Sequence, residues 1–320
     1  VSLPPEFALI ARHFRPLAGE GALDLSDDAA LLSPPPGLDL VLAADAMVEG
    51  VHYLPDDPPE TVGRKLLRVN LSDLAAMGAA PLAYLMTTAL QRGTPPGWLE
   101  GFAAGLAADQ REFGLHVLGG DTVATSGAAC LSLTILGTVP PGRALRRAGA
   151  LPGDDLWVSG TIGDGMLGLA VLQGRLPPDD HLARRYRLPE PRLALGAALR
   201  GLARAAMDVS DGLIQDLGHL CRAGGLGAVL DLAALPLSPP AAALVGADPS
   251  WLPRLATGGD DYELLFAAAP EDAPRILAAS RATGTAVARI GHFTPGPAEA
   301  TVRDHDGRAV TLPRGGWSHF

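Results

Sequence analysis

Six short runs place acids beside glycine, hydroxyl or apolar residues: Ser26-Asp27-Asp28, Asp45 closing an apolar stretch, Asn70-Leu71-Ser72-Asp73, Gly119-Gly120-Asp121, Asp208-Val209-Ser210-Asp211-Gly212 and Gly258-Gly259-Asp260-Asp261. Carboxylates are hard oxygen ligands. They suit Mg²⁺, which keeps several waters and is held by a few carboxylates together with substrate phosphates. Glycines beside the acids let phosphate oxygens approach backbone N–H groups. Phosphoryl transfer then asks mainly for positioning and charge neutralisation. Other chemistries lack their residues. Lys65, the single lysine, is followed by Leu66, so no Walker loop is present. There is no CxxC or HExxH spacing for zinc, no protein-kinase catalytic loop paired with Asp-Phe-Gly, and no Gly-x-Ser-x-Gly.

Taken singly, each run has a plainer reading. Asp27-Asp28 fits a solvated turn or helix cap, Asp73 a helix-surface acid, Gly119-Gly120-Asp121-Thr122 a turn, and Asp208–Gly212 a helix N-cap. Arg147 fits a surface charge, His52 a satisfied polar residue, and Trp317 and Phe320 packing.

The elements that must position these runs alternate. Leu38–Ala46 reads as a strand ending in Asp45. Pro58–Gly78 reads as a helix with Leu66, Leu67, Leu71 and Leu74 at helical spacing. Pro81–Gln91 follows as a strand. Thr94-Pro95-Pro96 then opens a helix to about Gly114, and short strands at Leu115–Leu118 and Ala129–Val139 flank the Gly-Gly-Asp run. Pro140–Gly142 with Arg143–Arg147 reads as a connection, which predicts domains at 1–142 and 143–320. Beyond it lie strands at Asp155–Ser159, Ala205–Val209, Tyr262–Ala268 and Ala286–Ile290. Helices are expected after Gly163-Asp164-Gly165, at Pro191–Gly201, at Gly212–Ala223 and at Ala273–Thr283, with a hairpin turn at Asp306-Gly307. Both halves are α/β or α+β, and carboxylates at strand ends would lie where ligands bind in such folds.

Composition narrows the classes. The 320 residues are 48% hydrophobic and carry a net charge of −10. This argues against a nucleic-acid or anionic-membrane partner. Cys130 and Cys221 make no disulfide framework, and with no leader pattern in Val1–Arg15 the expectation is a cytoplasmic protein. The apolar stretch Leu74–Leu90 is broken by Gly78 and Pro81 and falls short of a membrane span.

Together the runs resemble the thiamine-monophosphate kinase family, within the superfamily of aminoimidazole ribonucleotide synthetase and selenophosphate synthetase. The resemblance rests on Asn70–Ala79 (NLSDLAAMGA), Gly119–Thr122, Asp208–Leu213 and Gly258–Leu264, in order along the whole chain. It implies a two-domain aminoimidazole-ribonucleotide-synthetase-like fold: an N-terminal sheet domain that dimerises, and a C-terminal α/β domain that completes the nucleotide and substrate site. It also implies direct transfer of the ATP γ-phosphoryl group to thiamine monophosphate, in a homodimer. By motif, Asp28, Asp45, Asp73, Asp121, Asp208 and Asp211 would ligate Mg²⁺. Gly120, Asp121, Arg147 and Ser210 would meet ATP, and His52, Asp260 and Trp317 would meet thiamine monophosphate. Catalysis would be by metal and electrostatics, with no catalytic side chain. The chain departs from the family pattern in three places: Ala43-Ala44 before Asp45 in place of hydroxyl residues, Ser26 in place of glycine, and Asp260 in place of Glu.

Overall fold

The computed structural model describes residues 5–312 and 315–318; Phe320 lies outside them. The chain divides into two compact units, one formed up to Leu74 with Ala80–Gly142, the other by Ala75–Ala79 with the chain from Arg143 onward.

The first unit contains α1 (Pro5–Leu9), β1 (Asp39–Val48), α2 (Pro59–Ala76, whose last residues count with the second unit), β2 (Ala80–Gln91), α3 (Pro96–Phe113), β3 (His116–Thr125) and β4 (Cys130–Val139). Proline in the first turn of α2 and α3 sacrifices no helical hydrogen bond. Leu66, Leu67, Leu71 and Leu74 of α2 are fully buried, as their spacing predicts. The helix α3 ends where Gly114 turns left-handed and donates its N–H to the Gln110 carbonyl. Between the two helices Asp109, wholly buried, accepts from Arg64 Nε at 2.7 Å and Arg68 Nε at 2.6 Å.

The four strands run in the order β1-β4-β2-β3, antiparallel except for the parallel β2–β3 pair. Leu131, Leu133 and Ile135 of β4 turn one face inward and are fully buried. The opposite face leaves Leu42, Leu85 and Val123 exposed at 62%, 41% and 46%.

Two sequence expectations change here. β1 continues past Asp45 to Val48, and β3 runs through Gly119–Thr122 to Thr125. Asp45 and Asp121 therefore sit inside strands rather than at strand ends. The cause is pairing: β1 is matched to β4 residue by residue over its full length. Beside Gly119 the β2–β3 register shifts by one residue, so the glycine pair marks a bulge and not a turn. Gly120 is required there, since a Cβ would lie 1.7 Å from the Met86 carbonyl oxygen.

The second unit contains β5 (Asp155–Ser159), α4 (Asp164–Leu172), α5 (Asp180–Arg187), α6 (Leu193–Ala198), β6 (Ala203–Val209), α7 (Leu213–Gly224), β7 (Gly227–Asp231), α8 (Pro239–Ala247), α9 (Trp251–Ala256), β8 (Glu263–Ala268), α10 (Ala273–Thr283), β9 (Val287–Thr294) and β10 (Ala300–Arg303). Its six-stranded sheet has the order β10-β7-β9-β5-β8-β6. Every residue of β8 is buried, because the sheet is covered on both faces: Leu265 and Ala267 join one core with Leu213 and Leu217, while Leu264 and Phe266 join another with Leu195 and Ile276. The helix expected at Pro191–Gly201 is shorter, and α5, α8, α9, β7 and β10 have no counterpart in the sequence reading. The expected turn at Asp306-Gly307 forms, closed by Gly307 N–H on the Asp304 carbonyl at 2.9 Å. Among the described residues no helix is long and apolar enough to cross a membrane.

Candidate active site

In the first unit a cleft of about 520 Å³ is lined by Asp27, Asp28, Gly119, Gly120, Asp121 and Thr122, among others. Two of the expected ligand acids, Asp28 and Asp121, thus share one cavity although 93 positions separate them. Each acid pair is locally organised: Asp27 Oδ1 accepts the Asp28 N–H at 3.0 Å, and Asp121 Oδ1 accepts the Thr122 N–H at 2.8 Å. Asn70, fully buried on α2, donates Nδ2 to the Leu66 carbonyl and accepts the Asp45 N–H through Oδ1 at 3.1 Å. This bond fixes β1 at Asp45 against the helix that carries Asp73.

His52 lies in a tight loop after β1. Its N–H donates to the Val48 carbonyl at 2.9 Å, and its Nδ1 accepts the Val48 N–H at 3.0 Å. The neutral ring therefore carries its proton on Nε2.

In the second unit the structure joins residues far apart in sequence. Asp208 is the last residue but one of β6, and Ser210-Asp211-Gly212 lead into α7. Asp260 N–H donates to the Ser210 carbonyl at 2.9 Å, and Trp317 N–H donates to the Asp211 carbonyl at 2.9 Å. Gln215 Nε2 spans Asp211 Oδ2 at 3.0 Å and the Trp317 carbonyl at 2.7 Å. Ser210, Asp211, Asp260 and Trp317 thus form one cluster, with the Trp317 side half exposed. Arg147 is exposed, and its charge helps hold His219 of α7 below its ordinary pKa, after burial and Arg222.

Asp216 has no counterpart in the sequence reading. Its Oδ2 accepts the N–H groups of Ser210, Asp211 and Gly212 at 3.1–3.2 Å, tying the acidic loop to the first turn of α7. Burial, then the charges of Asp208 and Asp211, push its pKa up to about 8 against the pull of those N–H bonds. An acid in the first turn after a glycine is the signal that marks it.

Asp260 and Tyr262 are both left-handed, at φ 69° and 53°. For residues other than glycine such conformations cost about 1–3 kcal/mol each and gather at functional sites. Between them Asp261, fully buried, accepts the Gly163 and Gly165 N–H groups at 2.8 and 3.1 Å. Its burial raises its pKa to about 8.

The chain matches the family model for the AIR synthase related protein N-terminal domain over residues 26–139 and that for the C-terminal domain over 152–303. It is 48% identical to the thiamine-monophosphate kinase of Caulobacter vibrioides over 99% of this chain and 91% of that protein. The chain belongs to the thiamine-monophosphate kinase family. Two solved thiamine-monophosphate kinase structures agree. That from Stenotrophomonas maltophilia K279a superposes with a TM-score of 0.81 at 38% identity, covering 89% of this chain and 91% of that one. AaThiL in complex with AMPPCP and TMP superposes at 0.79 with 29% identity, covering 92% and 91%.

For a thiamine-monophosphate kinase the donor set fits magnesium. Every ligand expected from the sequence offers a carboxylate oxygen, and the crowding of Asp208 and Asp211 on Asp216 is of a kind that a divalent cation relieves. Among the described residues no three His, Cys, Asp or Glu side chains form a metal cage by themselves. Mg²⁺ commonly takes part of its shell from water and substrate phosphate instead.

Proposed function

We propose that this chain catalyses ATP-dependent phosphorylation of thiamine monophosphate to thiamine diphosphate, releasing ADP, by direct in-line transfer. The observation that carries the reading is the near-full-length identity to a thiamine-monophosphate kinase. AaThiL, of the same fold, holds AMPPCP and TMP.

A phosphate oxygen of thiamine monophosphate attacks the γ-phosphorus as the bond to the β-phosphate oxygen breaks. The acceptor is an ionised monoester, so no side chain need remove a proton, and catalysis rests on alignment and electrostatics. Magnesium held by Asp28, Asp45, Asp73, Asp121, Asp208 and Asp211 would neutralise charge between two polyanions. Gly120, at the bulge lining the cleft that holds Asp28 and Asp121, would meet the ATP phosphates through its backbone. Asp121, Ser210 and the Arg147 guanidinium contact ATP. His52 offers Nε2–H to thiamine monophosphate, Asp260 a carboxylate, and Trp317 a half-exposed ring face.

Residues 1–142 carry metal and ATP binding and dimerisation in this reading, and 143–320 the remaining nucleotide and substrate contacts. The homodimer is supported by the apolar outer face of the four-stranded sheet at Leu42, Leu85 and Val123. Sedimentation of Leu42→Arg as a monomer, with the unsubstituted chain a dimer, is the expected result. A cytoplasmic location is supported by two free cysteines, Cys130 and Cys221.

Incubation with ATP, Mg²⁺ and thiamine monophosphate should yield thiamine diphosphate and ADP in equal amounts. ADP without thiamine diphosphate would overturn the assignment.

A further inference from the structure

The turn that carries Asp260 is held from every side. Asp260 N–H and Tyr262 N–H donate to the carbonyls of Ser210 and Val209 at 2.9 and 2.8 Å. Arg185, buried, donates Nη2 to the Asp261 carbonyl at 3.0 Å and to Glu263 Oε1 at 2.9 Å. Glu263, wholly buried, also accepts Arg192 Nε at 2.7 Å and the Ser159 hydroxyl at 2.6 Å. Gly165 lets the Asp260 carbonyl pack against α4, where a Cβ would come within 2.3 Å of it.

Such anchoring is what allows two left-handed residues to persist in this turn. Its result is that side chains two residues apart meet: the Tyr262 hydroxyl donates to Asp260 Oδ1 at 3.2 Å. In an extended strand the two would point the same way about 7 Å apart. A phenol hydroxyl on one carboxylate oxygen restricts rotation of a short acid that has few torsions of its own, and directs the carboxylate as a whole.

We propose that Tyr262 is a positioning residue for the acceptor substrate: its hydroxyl, placed by the left-handed turn, holds the Asp260 carboxylate in the orientation that meets thiamine monophosphate. The inference rests on the reading that Asp260 contacts that substrate. It makes the Asp260–Tyr262 pair, and not Asp260 alone, the determinant of acceptor affinity. The Arg185–Glu263–Arg192 cluster is the support beneath it.

The test is steady-state kinetics of the full chain for Tyr262→Phe, Asp260→Asn and the double variant, each with thiamine monophosphate varied at saturating ATP and the reverse. Tyr262→Phe should raise KM for thiamine monophosphate roughly five- to tenfold, the scale of one net hydrogen bond acting through the carboxylate it orients. KM for ATP and the melting temperature should stay near those of the unsubstituted chain. The double variant should be no worse than Asp260→Asn alone, since the hydroxyl acts through that carboxylate. A raised KM in Asp260→Asn with none in Tyr262→Phe overturns the inference and leaves the substrate reading standing, and so do multiplicative effects in the double variant. An unchanged KM in Asp260→Asn overturns both. A melting-temperature loss without a KM change assigns Tyr262 to the fold.

Discussion

Lys65 Nζ donates a hydrogen bond to the carbonyl oxygen of His52 at 2.9 Å, from a side chain only 2% exposed. The single lysine of the chain thus reaches from α2 through the core to the loop after β1, and it holds the residue whose ring offers Nε2–H. Gly50 N–H on the Tyr53 carbonyl at 2.8 Å closes the same loop from the other end.

Lys65→Met keeps the length and apolar stem of the side chain while removing the donor. Loss of a hydrogen bond from a charged group costs about 1.5–3 kcal/mol, so melting should fall by several degrees. With one anchor of the His52 loop lost and its bonds to Val48 remaining, KM for thiamine monophosphate should rise modestly while KM for ATP holds. An amine-reactive reagent should leave Lys65 unmodified in the native protein and modify it in urea, as read by mass spectrometry. Equal labelling in both would remove the buried bond.

Asp73→Asn and Asp121→Asn should each lower turnover at least about a hundredfold, the scale of losing one preorganised electrostatic contact. Both side chains are at least partly exposed, so circular dichroism and melting should be close to those of the unsubstituted chain. Near-normal turnover in both variants would remove the metal assignment.

Trp317 is tied to the acidic loop by its backbone N–H and carbonyl, and the ring takes no part in either bond. Trp317→Ala should therefore leave Asp211 and Gln215 in place while removing a stacking surface. KM for thiamine monophosphate should rise by up to about tenfold, the upper range for one aromatic pair, and Trp317→Phe should recover most of it. An unchanged KM in Trp317→Ala would assign the ring to packing.

Asp261 sets a pH dependence whose sign follows from its buried state. Its folded pKa, about 8, lies above the ordinary value of 3.8. Between these values the unfolded chain has lost a proton that the folded chain keeps, so stability falls as pH rises through the window. Asp261→Asn removes this ionisation and should flatten the decline in melting temperature between about pH 4 and about pH 8. Asp216 contributes a slope of the same sign, so a residual decline should persist. A decline as steep in Asp261→Asn as in the unsubstituted chain would contradict the buried carboxyl.

Much of the fold was legible along the chain. Leucines at helical spacing announced α2 and a proline pair announced the start of α3, because each signal is local. The Gly-Gly-Asp run misled for an equally physical reason. Glycine serves turns and close backbone approach alike, and only pairing with β2 shows that Gly119-Gly120 marks a bulge inside a strand. Asp216 and Tyr262 escaped because their importance lies in what they touch: three backbone N–H groups in one case, a carboxylate two residues back in the other.

By itself the sequence determined the family, the α/β class and the acidic, phosphate-directed character of the site, since all three reside in residue types and their order. Tertiary structure alone decided which of those residues meet. Trp317 lies against Asp211 and Asp260 against Ser210 because strand pairing and the packing of α7 bring loop ends together over separations that no local signal spans. It also decided the left-handed turn at Asp260–Tyr262, a conformation that neither residue prefers and that buried Arg185 and Glu263 help hold in place.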